Sequence, residues 1–296
     1  MGRKVLEFSW KLPLCAATYL VATMIAGAAM VALGLPLPEL PTSAGKTVPL
    51  AGLVLGSVLL VLSLGLLADR LRGGRVARGL MLAAFGYVCL GPNAAIEASV
   101  FTKFDGLTAM AIMPLIPCVL AGLVTAALFT QRDGAEAVVG RAPCSARDAG
   151  WQGWLWRVPA AVVSFVLIYF LFGMPVGALV GEYYRQEQFG LILPSLGVVI
   201  GTQLIRGAVY LLACLPIVIA WSRSRREFVI VFGIAFFVFT GLFGMLQATW
   251  LPIQMRVIHA VELFADGMAY AGVLGFLFVR NGSIVMEMEQ TATRRK

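Results

Sequence analysis

The stretch MRVIHAVELFADGMAYAGVLGFLFV, residues 255–279, decides how this chain is read. It carries Arg256, His259, Glu262, Asp266 and Tyr270 on an apolar background that closes with Gly272-Val-Leu-Gly-Phe-Leu-Phe-Val279. At about 100° per residue those five groups fall within roughly a third of a helix circumference. The apolar remainder reads as membrane-spanning, since a spanning helix needs about 20 predominantly apolar residues. Inside a bilayer a charge costs about 2.5–3.5 kcal/mol even on the mildest scale, so a one-sided stripe of charges marks a functional site by default.

Working outward, the rest of the chain has the same character. Of 296 residues 60% are hydrophobic and only 13% charged, and the mean hydropathy is +0.89. A soluble domain has about 45–50% apolar and about 25% charged residues, so this chain cannot cover its surface with polar groups and lipid must be its solvent. Eight apolar segments follow one another: Leu12–Leu35, Val48–Ala68, Gly79–Phe101, Leu107–Thr130, Val158–Gly181, Leu191–Trp221, Phe228–Gln247 and Met255–Val279. The first is too long for the apolar core of a signal peptide and is read as a helix. The expected fold is all-α: a polytopic transmembrane bundle of eight spans forming one integral-membrane domain, with no separate soluble domain and membrane lipids as its surroundings.

The net charge of +8 does not point to nucleic acid. A nucleic-acid binder gathers its basic residues on one face of a folded domain. Here all but five of the 23 lysines and arginines sit in clusters on alternate connections. The clusters are Arg3/Lys4/Lys11, Arg70/Arg72/Arg75/Arg78, Arg132/Arg141/Arg147/Arg157, Arg223/Arg225/Arg226 and Arg280/Arg294/Arg295/Lys296. With eight spans all of these lie on one side, which the positive-inside bias makes the cytoplasm, so both termini are expected there, in a bacterial inner membrane. The one long connection, the cytoplasmic loop Gln131–Arg157, ends in Trp151-Gln-Gly-Trp154-Leu-Trp156, which reads as an interfacial anchor.

Five cysteines, Cys15, Cys89, Cys118, Cys144 and Cys214, show no CxxC spacing; they read as small buried hydrophobes without a disulfide or zinc. Gly173, Gly177 and Gly181 in segment five, and Gly197 and Gly201 in segment six, repeat every four residues, a spacing that lets helix backbones approach. No internal repeat stands out.

Five positive charges remain. Lys46, Lys103 and Arg185 fall in outer loops; Arg206 and Arg256 fall inside segments. Gln203, Arg206 and Tyr210 share a face of segment six, and Asn93 and Glu97 lie one turn apart in segment three, just after Gly91-Pro92. By orientation, all the intramembrane charges occupy the outer half of the bilayer or its midplane. Their signs nearly balance, with Glu97, Glu262 and Asp266 against Arg206 and Arg256, and pairing is what makes buried charge tolerable. Segments three, six and eight are expected to converge on one outward-opening, lipid-facing pocket, with Arg206 bridging to Glu97 or Asp266.

The chemistry available follows from the residue types. His259 and Glu262 have the i, i+3 spacing of di-iron carboxylate bundles, but such sites need two His-bearing motifs and this chain has a single histidine. No metal and no cofactor is expected. Histidine is the side chain that changes charge near neutral pH, so His259 is the expected proton exchanger, with Glu262, Asp266 and Glu97 as base or charge balance. Arg206 and Arg256 suit a phosphate, pyrophosphate or carboxylate; Asn93, Gln203, Tyr210 and Tyr270 line the space around it. There is no GxSxG, HExxH or aspartate-rich motif. The leading expectation is a pocket that binds or processes a small anionic or lipid-type ligand, for instance a lipid-linked substrate. The alternatives are a proton-coupled small-solute transporter, or a membrane assembly subunit whose ion pairs only fix helix packing.

Overall fold

In a computed structural model the protein is described over residues 2–37, 50–129 and 150–279. Cys144, Lys46, the basic residues Arg132, Arg141 and Arg147 and the cluster from Arg280 onward lie outside the described residues. Among the described residues there is no strand, and eight helices are long and apolar enough to cross a membrane. These spans are Ser9–Ala32, Leu50–Ala68, Arg75–Phe101, Leu107–Phe129, Gly150–Arg185, Leu196–Ala220, Arg225–Gln247 and Ile253–Phe278.

Several ends differ from the sequence reading. Span six begins at Leu196 rather than Leu191, because Pro194 keeps the residue before it out of helical conformation and Ser195 takes the extended N-cap position. Span five is a 36-residue helix that already includes the tryptophans. Trp154 packs on Phe278 at 5.6 Å between ring centroids, whereas Trp151 and Trp156 are exposed.

Three spans are interrupted. Span three stops at Leu90 and restarts at Pro92; proline at the first helical position needs no backbone donor, so the second piece, Pro92–Phe101, begins there. Span four breaks between Ile112 and Leu115, at Pro114. The two breaks face each other: a Cβ on Gly91 would lie 2.5 Å from the Ala111 carbonyl oxygen, so only glycine fits. Span seven passes through a π-helical turn, Val238–Leu242, before its last piece, Phe243–Gln247.

The bundle is built as two sets of four. Span three packs on four as seven packs on eight; one packs on four as five does on eight, and one on two as five on six. Across the sets, three packs on six as seven packs on two. An internal repeat that the sequence does not display is thus present in the packing. Two short antiparallel bridges tie the sets together, Leu71 with Trp221 at one end of the bundle and Thr102 with Leu191 at the other. Beside the first, Arg70 Nε donates to Glu227 Oε1 at 2.7 Å. The centre is aromatic: Phe85 meets Phe232, Phe236 and Phe239 at 5.1–6.5 Å, and Phe228 stacks on Phe232.

The glycine spacings behave unlike the expectation. A Cβ on Gly177, Gly197 or Gly201 would meet nothing within 4 Å, and at Gly181 only the Arg185 side chain. Close backbone approach occurs instead at Gly122, where a Cβ would lie 2.7 Å from the Gly79 carbonyl oxygen, and at Gly267, where one would lie 3.2 Å from that of Gly233. Spacing alone cannot say which side of a helix meets another helix and which meets lipid.

Candidate functional site

The break in span three starts a new helix whose second residue is Asn93 and whose next turn presents Glu97. Both face span six, where Arg206 is only 4% exposed. Its guanidinium is held on three sides. Nη1 and Nη2 donate to the two carboxylate oxygens of Glu97 at 3.0 and 2.8 Å. Nε donates to Asn93 Oδ1 at 2.8 Å, and Nη1 also donates to Gln203 Oε1 at 3.1 Å. The Asn93 amide completes the tie by donating to the backbone carbonyl of Arg206 at 3.2 Å. Tyr210, one turn further along span six, puts its ring 5.8 Å from the guanidinium carbon. Four of the five N–H donors of an arginine are engaged by these bonds.

Span eight supplies the second part. His259 Nδ1 lies 2.8 Å from Glu262 Oε2, and both side chains are largely buried. The His259 ring stands edge-on to Tyr184 of span five. The other Glu262 oxygen, Oε1, lies 3.1 Å from where a Cβ on Gly173 would be, so the glycine leaves the space the carboxylate uses. Asp266, one turn on, interacts electrostatically with Glu262, Arg206 and Glu97. Tyr169 of span five interacts with Glu97, Arg206, Glu262 and Asp266 together. The two parts therefore lie within electrostatic reach of each other.

Tyr210 and Tyr270 close the centre toward the aromatic core, both packed against Phe165 and Phe236 at 5.0–5.6 Å. Arg256 stands apart. It makes one long contact to the Met245 carbonyl of span seven, at 3.4 Å, and no ion pair among the described residues. Four buried polar atoms of the region have no hydrogen-bond partner among the described residues: His259 Nε2, Asp266 Oδ1, Gln203 Nε2 and Tyr270 OH; Arg256 Nε has none there either. Buried polar atoms are normally satisfied, so such a concentration asks for an explanation.

The structure thus brings together Asn93, Glu97, Gln203, Arg206, Tyr210, His259, Glu262, Asp266 and Tyr270, and leaves Arg256 to one side. The wall is not built from spans three, six and eight alone. Span five stands between six and eight and adds Tyr169, Gly173 and Tyr184, which sequence reasoning missed. The signal available was Gly173, whose spacing pointed to helix packing although it faces a carboxylate. Among the described residues no three His, Cys, Asp or Glu side chains cluster in a way that could hold a metal ion. Comparison of the chain with protein-family models, with curated proteins and with solved structures gave no match.

Proposed function

We propose that this is a multi-pass protein of the bacterial cytoplasmic membrane, both termini cytoplasmic, whose charged centre binds or processes a small anionic or lipid-type ligand entering from the extracytoplasmic side. The orientation rests on the alternating basic clusters. The observation that carries the ligand reading is the set of unpartnered polar atoms, above all His259 Nε2 and Asp266 Oδ1, in the same centre as the bonded arginine. A purely structural ion-pair network satisfies its members; this one leaves polar atoms unspent where a ligand would complete them. In this reading His259, oriented by Glu262, exchanges a proton with the ligand. Asp266 and Glu97 balance charge or act as base, Arg206 holds the anion, and Asn93, Gln203, Tyr210 and Tyr270 shape the space; Arg256, to one side, is not assigned to it.

Native mass spectrometry of the full chain, purified in mild detergent, tests this. The wild type should carry a bound species that His259→Ala and Asp266→Asn both lose while staying folded. Identical spectra for wild type and both variants would remove the site.

A second reading, a proton-coupled carrier, is favoured by one observation: spans three, four and seven are all interrupted, and discontinuous helices mark substrate sites in carriers. Proton uptake by the purified protein in sealed vesicles, abolished by Asp266→Asn, would move the assignment there.

A further inference from the structure

The two sets of four spans correspond residue by residue. Leu71 and Trp221, which pair with each other, are each followed by three loop residues and a helix that opens on arginine, Arg75 and Arg225. A shift of 150 residues, from Leu71 to Trp221, maps span two onto six and three onto seven. Burial follows the map: Gly56/Arg206, Ser57/Gly207, Leu60/Tyr210, Leu64/Cys214 and Leu67/Ile217 are buried in both members. The Gly91 break falls on Gly241, within the π turn. With one residue less, Cys118, Ala121 and Phe129 of span four fall on Gly267, Tyr270 and Phe278 of span eight, again all buried. The tight contact of Gly122 with Ala83 recurs as Ala271 with Gly233. A residue paired antiparallel with its own counterpart sits on a two-fold axis, as in an isologous interface.

The axis creates this junction twice. Asn93 and Arg206 map onto Phe243 and Gly56, and these also touch: a Cβ on Gly56 would lie 2.7 Å from the Phe243 ring. Glu97 maps onto Gln247. Tyr169 maps onto Tyr19, which stands edge-on to Phe243 at 5.9 Å. The same junction between halves is therefore made once by a salt bridge and once by a phenyl ring in a glycine notch. The architecture does not require charge there.

From this internal comparison, and resting on the anion-binding reading above, we propose that Glu97 is a displaceable internal ligand of Arg206, occupying the place that an incoming carboxylate or phosphate takes. Glu97 engages Nη1 and Nη2 with both its oxygens, the bidentate contact either oxyanion makes with arginine. Its side chain is 40% exposed against 5% for Arg206, so Glu97 is the member of the pair open to exchange. It stands one turn beyond Asn93 on the ten-residue helix Pro92–Phe101, so its side chain can swing away while Asn93 stays in place. Asn93 and Gln203 keep the guanidinium aimed while its partner changes.

The test uses the full chain in mild detergent, incubated with phosphatidic acid or separately with inorganic phosphate, and read by native mass spectrometry. Glu97→Gln should retain about tenfold more than wild type, as expected when an internal competitor is removed, and Arg206→Gln should retain none. A gain confined to phosphatidic acid identifies a lipid headgroup; a gain with both identifies the free oxyanion. The triple variant Asn93→Phe/Glu97→Gln/Arg206→Gly copies the twin junction, and should stay folded while retaining neither probe. Retention by wild type that Asp266→Asn abolishes but Glu97→Gln leaves unchanged overturns the displacement and spares the anion-binding reading. Retention by no chain overturns both, and a triple variant that unfolds overturns the equivalence of the junctions.

Discussion

Arg206 is the residue on which the centre turns. Its guanidinium is bonded to Glu97, Asn93 and Gln203 and lies against Tyr210. Removing one member of a buried ion pair costs about 3–5 kcal/mol, less here because Glu97 is 40% exposed. Arg206→Ala alone should therefore lower the melting temperature in detergent clearly, whereas removing the junction's charges together should not; thermal unfolding of the two proteins side by side checks this. Gly173 makes a second residue-scale case. Gly173→Val places a branched side chain where Glu262 Oε1 lies, so it should turn that carboxylate away from His259 and cancel ligand retention with little loss of stability. Retention at the wild-type level in Gly173→Val would show that the His259–Glu262 contact is dispensable. The arginine and the carboxylates were legible in the sequence because a charge in an apolar run has no cheap explanation. Tyr169 and Tyr184 were not, because a tyrosine in such a run is ordinary packing until its neighbours are known.

Elements are shaped by where two backbones come within touching distance. A Cβ on Gly91 would lie 2.5 Å from the Ala111 carbonyl oxygen and one on Gly122 2.7 Å from that of Gly79, and backbone cannot yield as a flexible side chain does. Gly91→Ala and Gly122→Ala should each destabilise by about 1–3 kcal/mol, the usual cost of overpacking. Gly177→Ala and Gly197→Ala, which point into open space, should fall within about 0.5 kcal/mol of wild type. Equal melting temperatures across the four would refute this division. The eight spans themselves were legible from hydropathy, and the span-three break from its proline. The span-four break was equally marked by Pro114, but that it faces the Gly91 break is visible only in the fold. The π turn of span seven carries no sequence mark; it accommodates Gly241 against Leu263, a contact at 2.8 Å from a would-be Cβ.

At the scale of the whole molecule, the two sets of spans are joined at both ends. In the Thr102–Leu191 bridge, Ile192 donates to the Phe101 carbonyl and Lys103 to that of Gly190, so Thr102 and Leu191 form the close, non-hydrogen-bonded pair. That spacing, about 4.5 Å between Cα atoms, suits a disulfide. Thr102→Cys/Leu191→Cys should cross-link on mild oxidation, seen as joined peptides after proteolysis; absence of the cross-link would place the two connections apart. The two-fold was hidden from sequence because the halves share burial rather than residues. Arg206 answers Gly56, and Tyr270 answers Ala121, so the correspondence emerges only once inside and outside are known.

The shared ownership of the centre bears on how the protein is made. Glu97 belongs to the first four spans and Arg206 lies 109 positions later. At about 5–20 residues per second of synthesis, the acid enters the membrane roughly 5–20 s before its counter-charge exists. A nascent chain halted after span four would carry that carboxylate with nothing to answer it, and so should be a marked target for quality control until the second half arrives.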